Sequence, residues 1–542
     1  MTTAVAPYQS AARPGRDGFA QLLHAEWTKF RTVRGWVIGL VVAGLLTVGV
    51  SLLYHGGCGS EINGVQTAGC PGAPIGPGGE AVTDSFYFVH QPLTGDGTIT
   101  VRVASLSGLY STSGGSVGAA GAPLAGYVSG LRPWAKAGIM VKASAKPGAA
   151  YAAMLVTGQN GTRMQYDYTG DVAGQPGAVT ASSPRWLRLV RAGETVTGYD
   201  SADGAHWTQV ARVTLSGLPS TAQVGLFATS PTYVVLSQSA GGGSGAGAST
   251  LATASFDRLT TSWPGGTWAG TSVGAGAAGP LGANGLGSGS SNPFYGSFKQ
   301  TGSAFTVTGS GDIAPDVPDG PDGIGENPTR AIATGTFFAL IAMVIVGAVF
   351  ITAEYRRGLI RTTLTASPRR GRVLAAKAAV LAAVTFAAGL IGTAVALPAG
   401  EWRFRSGGYW IPPVPGLTTV RMVAGTAAVM AIASVLALAV GVIARRGVAA
   451  VSAVIVLIVL PFLFAVIPGL LPLGAETWLL RVFPAAAFAI QQAFPAYHQV
   501  LAQYQPGNGY FPLSWWLGLL VLCAWTAAAL AAAAYLLRRR DA

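Results

Sequence analysis

The sequence predicts a polytopic α-helical membrane protein of six transmembrane helices that also carries an extracellular all-β sandwich domain. Three observations carry this prediction. Only 10% of the 542 residues are charged and 50% are hydrophobic, whereas soluble domains carry about 25% charged residues; mean hydropathy is +0.45. The apolar residues are gathered into six blocks, each near the roughly 20 residues that a bilayer crossing needs. Between the first and second blocks the pattern changes to short period-two runs broken by turn signals, which mark strands.

Residues 1–34 form a polar lead with an expected amphipathic interfacial helix, and residues 35–54 (GWVIGLVVAGLLTVGVSLLY) form the first span. A signal peptide is disfavoured because this lead is long and no clear A-x-A site closes the apolar block before Tyr54. Residues 55–330 contain no comparable apolar block. The remainder, 331–542, holds five more spans at about 331–353, 373–398, 420–444, 448–467 and 513–537.

Basic residues near span ends set orientation. Lys29, Arg31 and Arg34 precede span one, a basic cluster separates spans two and three, Arg445 and Arg446 separate spans four and five, and Arg538, Arg539 and Arg540 follow span six. These are alternate gaps, so they share one face, expected to be cytoplasmic with both termini. Arg403, Arg405, Arg421 and Arg481 fall on the other face but do not reverse the balance. Insertion and lipid headgroups account for the net charge of +13. No basic domain with interleaved aromatics suggests nucleic acid.

The region 55–330 is rich in Gly, Ser and Thr. It contains Cys58 and Cys70, a pair whose spacing can close a small disulfide loop in an oxidising compartment. Cys523 falls inside span six as packing. Runs such as TITVRVAS, AGIMVKAS, RWLRLVRA and HWTQVARVTL predict strands of a sandwich over 83–260, followed by a Gly/Pro-rich linker with short β segments over 264–325. Trp134, Trp186 and Trp207 are candidate glycan contacts, but as aromatics within β runs they are expected to pack between sheets. Asp167, Asp200, Asp203 and Glu194 make a poor catalytic carboxylate pair, since Asp200 and Asp203 belong to the turn YDSADG. Asp312, Asp316, Asp319 and Asp322 could offer oxygens to calcium, though Pro-Asp-Gly repeats generally build solvated turns. The order FYFVHQPLTGDGTITVRV, WAKAGIMVKAS, YAAMLVTGQNG, PRWLRLVRAGETVTGYDSADGAHWTQV and VGLFAT resembles concanavalin-like, laminin-G-like sandwich modules.

The stretch AEYRRGLIRTTLTASPRRGRVLAAK, between spans two and three, crowds one acid among many bases. Arg at a helix centre costs about 2.5–3.5 kcal/mol on insertion scales, so the stretch must be a loop or interfacial helix, and Pro368 is placed to break it. Together with LLHAEWTKFRTVRGW in the lead, this loop resembles the permease subunits of type-2 ABC transporters, chiefly exporters. The match lies in Glu354, Tyr355, Arg356, Gly358, Thr363, Leu364, Pro368, Arg369, Arg370, Arg372 and Lys377. The resemblance implies a coupling helix that docks on a separate ATP-binding subunit, with Glu354, Tyr355, Arg356, Arg357, Gly358, Arg361, Pro368, Arg369 and Arg370 as interaction residues. It also implies ATP and Mg²⁺ in that partner, a homodimer or heterodimer of permeases, and residence in the plasma membrane. The segment Thr477 to Phe494, with Pro484 inside it, would be a short external or re-entrant helix.

No G-x-x-x-x-G-K-[ST] phosphate cradle occurs in this chain, and its five histidines do not cluster in sequence. An enzyme is therefore not expected, and neither a cofactor nor a metal site is assigned here. Two rivals stand beside the permease reading. A membrane-anchored glycan-binding or sensory protein would need one span, and a secondary transporter would need ionisable groups at the midplane.

Overall fold

The computed structural model describes residues 18–53, 61–62, 65–66, 73–111, 127–239, 242–248, 250–274, 296–316, 328–366, 369–466, 475–500, 504 and 506–539. Cys58, Cys70, Pro368, Asp319 and Asp322 lie outside the described residues.

Among the described residues six helices are long and apolar enough to cross a membrane. They are α2 (Arg34–Leu53), α3 (Pro328–Arg356), α5 (Arg370–Ser406), α6 (Gly416–Ala444), α7 (Gly447–Val466) and α9 (Trp515–Arg539). Three shorter helices flank them: α1 (Phe19–Thr32), α4 (Leu359–Ala366) and α8 (Ala475–Val482). Helix α5 is longer than its apolar block suggested. At 37 residues it would extend about 55 Å, beyond the roughly 30 Å hydrocarbon core, so its polar end Glu401–Ser406 projects past the apolar region. Pro398 lies inside it, and the extension is anchored by Phe404 packing with Ile332 and Ile411.

Helix α6 has buried residues on all sides, which makes it the hub of the bundle. After α8 the chain forms a 3₁₀ helix, Pro484–Gln491, with Pro484 at its start. Residues Pro484 to Ile490 are buried, and the Phe488 ring packs at a tilt against Phe462 and Phe337. Gln491 donates to Thr336 and Thr426, which satisfies this polar end inside the bundle.

In chain order the strands fall between α2 and α3, and among the described residues they build two large antiparallel sheets and three two-stranded ladders. The seven-stranded sheet runs Gly170–Ala173, Thr162–Tyr166, Tyr151–Thr157, Lys136–Lys142, Thr221–Thr229, Phe86–Thr94 and Ala269–Val273. The eight-stranded sheet runs Thr208–Thr214, Thr195–Ser201, Arg185–Ala192, Gly97–Ser111, Thr250–Thr261, Ala304–Gly309 and Gly296–Thr301, with Tyr127–Ser129 added on Gly97–Ser111. Alternate residues of both sheets meet in one core, with Ile99, Val101, Leu187 and Phe256 facing Ile139, Met154 and Val224. The stretch after residue 264 is therefore more than a linker, because its strands complete both sheets.

Every residue of Lys136–Lys142 is buried. The alternate face that would meet solvent is covered by a short ladder of Val82–Asp84 with Ile313–Pro315, where the chain enters and leaves the sandwich. Two buried ion pairs flank this strap: Lys142 Nζ to Asp84 Oδ2 at 2.8 Å and Lys136 Nζ to Asp312 Oδ1 at 2.7 Å. Tyr168 Oη donates to Asp84 Oδ2 at 2.7 Å. Burial pulls Lys142 below the usual lysine range, against the opposing attraction of Asp84. Asp312 is thus committed to Lys136 and Asp316 faces Thr83, so these two do not converge on a cation. No group of three or more potential metal ligands occurs among the described residues.

Candidate functional site: a buried charge cluster beneath the bundle

Helix α1 carries an apolar edge that ends in Phe30, which is buried against Trp36 of α2 and Phe350 of α3, with ring centroids 5.8 and 5.6 Å apart. Trp36 meets Phe350 edge-on at 4.8 Å. Glu26 lies one turn before Phe30, so docking the aromatic also buries the carboxylate. It is only 2% exposed.

Glu354, in the last turn of α3, is also buried. Lys377 of α5 stands between the two acids, with Nζ 2.7 Å from Glu26 Oε2 and 2.6 Å from Glu354 Oε1. Lys29 closes the cluster from the solvent side, 3.1 Å from Glu26 Oε1 and 3.3 Å from Glu354 Oε1, and it donates to Thr363 Oγ1 of α4 at 3.4 Å. Burial opposes the Lys29 charge, but Glu26 and Glu354 outweigh it and hold its pKa above the usual lysine range. Two acids and two bases leave the cluster neutral, and its members tie α1, α3, α4 and α5 together.

Chain direction changes directly after Glu354. Gly358 has φ 69°, a conformation that suits glycine, and it separates α3 from α4. Arg356, Arg357, Gly358 and Leu359 are exposed, while Ile360 is buried under the bundle. The Tyr355 ring is half-buried with the Arg445 guanidinium 5.5 Å from its centre. Arg361 belongs to α4. Arg369 is exposed ahead of α5, and Arg370 donates to the Leu537 carbonyl at 2.5 Å, bringing the end of α9 to the same place.

Within the chain the Glu354 carboxylate engages Lys377 and Lys29. Sequence reasoning missed Glu26 and Lys29 as its companions. The available signal was an acid in a basic lead, three residues before a lysine and four before an aromatic that can bury it.

The candidate glycan tryptophans separate into two environments. Trp134 is buried, with the Arg163 guanidinium 5.3 Å from its ring centre and the His498 ring 5.9 Å away. Trp186 and Trp207 are half-exposed on the outer face of the eight-stranded sheet. Neither packs between the sheets: the inward positions of the Trp186 strand are taken by Leu187 and Leu189, and Trp207 precedes the strand Thr208–Thr214 with its ring against Arg188.

Comparisons with solved structures give distant likenesses. A functionally unknown protein from Saccharomyces cerevisiae is 16% identical over 37% of this chain and 86% of its own, with a TM-score of 0.21. The GH43 BlXynB protein from Bacillus licheniformis is 18% identical over 31% of this chain and 27% of its own, with a TM-score of 0.18. Scytalido-glutamic peptidase with a transition state analog inhibitor is 7% identical over 42% of this chain and 98% of its own, at 0.24. Likeness at this level assigns neither fold nor function. No curated protein matches the chain. The family model described as ABC-2 family transporter protein matches residues 199–542, well over half of the sequence and the whole of the bundle after α2. The chain belongs to the ABC-2 transporter family.

Proposed function

We propose that this permease is the membrane-spanning subunit of an exporter, driven by a separate ATP-binding subunit that docks on residues 354–377. The observation that carries the reading is the neutral cluster Glu26–Lys29–Glu354–Lys377. It fixes α1, the end of α3 and the start of α5 as one base, from which Arg356, Arg357 and Leu359 project outward. A docking subunit that pushes on such a base moves three helices together, whereas a loose loop would absorb the displacement. ATP and Mg²⁺ belong to that partner, whose nucleotide chemistry supplies the energy.

The cluster side is read as cytoplasmic and the sandwich side as outside the plasma membrane, because the alternating basic gaps fall on the cluster side. The sandwich is read as concanavalin-like on its strand motifs. Two permease chains, identical or different, would form the transporter. Cys58 and Cys70 would form a disulfide outside, to be found as a joined pair in unreduced peptides.

Docking is tested by coexpressing the chain with the ATP-binding subunit of its transporter and measuring copurification. Arg356→Glu combined with Arg357→Glu should abolish copurification while leaving the amount of folded permease unchanged. Unchanged copurification defeats the docking assignment.

A further inference from the structure

The outer face of the eight-stranded sheet carries guanidinium and indole groups that neither the bundle nor the sandwich core uses. Leu187 and Leu189 point inward, so Trp186 and Arg188 point outward. In register with Trp186 stand Arg102 on one side and Ser201 on the other; with Arg188 stand Thr100 and Tyr199. Arg188 Nε donates to Thr100 Oγ1 at 3.1 Å, and its guanidinium carbon lies 3.8 Å from the Trp207 ring centre. Stacking occupies the guanidinium's face and leaves its N–H edge for an acceptor.

Beside this pair the backbone is bent to place another. Arg258 sits at φ 52°, where the register of its strand shifts between Asp257 and Thr260. Bulges re-aim side chains, and here the Arg258 guanidinium comes 5.8 Å from the Trp186 ring centre. Gly204, at φ +80°, flanks the same indole so closely that a Cβ would collide with it. A non-glycine residue in this left-handed region costs on the order of 1 kcal/mol, and the strain exposes a cation on an aromatic ring.

Charge on this face is lopsided. Arg102, Arg188, Arg212 and Arg258 share it. Asp257 is engaged by Arg102 at both oxygens, and Asp203 at the rim accepts from His206. Arg188, Arg212 and Arg258 form no ion pair among the described residues. The bundle meets the other sheet, through His498 and Gln499 against Asp171 and Tyr168.

We propose that this face binds an anionic carbohydrate polymer, whose carboxylate or phosphate groups are taken by Arg188, Arg258 and Arg212 while its sugar rings lie against Trp186 and Trp207. Arginine forks match carboxylate and phosphate at two points. Sugar rings offer apolar C–H faces next to anionic substituents, and that alternation matches indole beside guanidinium. An acidic peptide has the charge without the rings. This site stands independently of the transport reading.

The test uses the full chain in zwitterionic nanodiscs, with polygalacturonate, poly(glycerol phosphate), neutral dextran and polyglutamate as probes at low and high salt. Binding of polygalacturonate, of poly(glycerol phosphate) or of both is expected, weakening with salt, and the arm that binds identifies the anionic group. Arg188→Glu with Arg258→Glu should weaken it at least tenfold while the thermal midpoint stays unchanged, and Trp207→Ala should weaken it several-fold. Should the paired variant lower the midpoint, Arg212→Glu provides a second reading away from the stacked indoles and should weaken binding several-fold. Four results overturn the proposal: no binding of either carbohydrate polyanion, equal binding of dextran, equal or tighter binding of polyglutamate, or binding indifferent to these substitutions.

Discussion

Lys377 Nζ lies 2.6 Å from Glu354 Oε1 with both side chains almost wholly shielded from solvent, so neither charge can lose the other cheaply. Removing one partner of a buried pair typically costs 3–5 kcal/mol, while replacing both by apolar groups of similar volume is often neutral. Glu354→Ala should therefore insert normally but lose stimulation of the ATP-binding subunit, because the end of α3 is no longer fixed to α1 and α5. The double variant Glu354→Leu with Lys377→Met leaves Glu26 and Lys29 to neutralise each other and should fold better than either single variant. Thermal midpoints in detergent provide the check. A double variant worse than both singles would show that the pair is not the unit that matters.

Orientation is tested separately. Gln159 and Thr365 are both exposed; Gln159 lies in the sandwich before α3 and Thr365 in α4 after it, so one span separates them. In intact cells a cysteine at 159 should react with an impermeant thiol reagent and one at 365 should not, in a background lacking the native cysteines. The reverse labelling would invert the proposed topology and place the charge cluster outside.

The six spans and the presence of a sandwich were legible in the sequence because each rests on a local signal: a long apolar block, or alternation with period two. The strap was not legible. Its residues Val82–Asp84 and Ile313–Pro315 are more than 200 positions apart, and only three pairs join them. The charge cluster was half legible, since Glu354 and Lys377 share a motif, whereas Glu26 is 328 residues from Glu354 and reaches it through the docking of Phe30. Trp186 and Trp207 were misplaced because a β run says that side chains alternate without saying which set faces the core.

The strap carries a titrating group. Asp316 donates its backbone N–H to Ala81 O and its carboxylate accepts from Thr83, while Oδ2 is shielded with no hydrogen-bond partner among the described residues. Burial pushes its pKa up to about 6. A carboxyl whose folded pKa is raised binds its proton more tightly in the folded state, so it lowers stability as pH rises from about 4 through about 6. The shift corresponds to about 2 kcal/mol once partial exposure is allowed for. Asp316→Asn should remove that slope and raise the unfolding midpoint of the sandwich at pH 7. A parent curve flat between pH 4 and 6.5 would contradict it.

The sandwich touches the bundle at a second titrating contact. His498 Nε2 lies 2.6 Å from Asp171 Oδ2 and 3.1 Å from Arg163 Nη2, and Gln499 Nε2 is 3.4 Å from the Tyr168 and Thr169 carbonyls. Burial works against the Asp171 charge, but hydrogen bonds from Arg163, Gln165 and His498 win and hold its pKa below the usual carboxylate range. The sign is therefore opposite to that at Asp316. The contact contributes fully above the unfolded carboxylate pKa, about 3.9, and is lost as pH falls through the lower folded value. At pH 7, Asp171→Ala leaves Arg163 beside the Trp134 ring without its carboxylate. Backbone hydrogen exchange in Thr162–Tyr166 and Gly170–Ala173 should then accelerate at least tenfold, and His498→Ala should accelerate the same strands less. Exchange in Gly97–Ser111 of the opposite sheet should not change in either variant. Uniform acceleration across both sheets would mean that Asp171 supports the whole sandwich, and unchanged exchange would mean that the contact with the loop before α9 does not hold this edge in place.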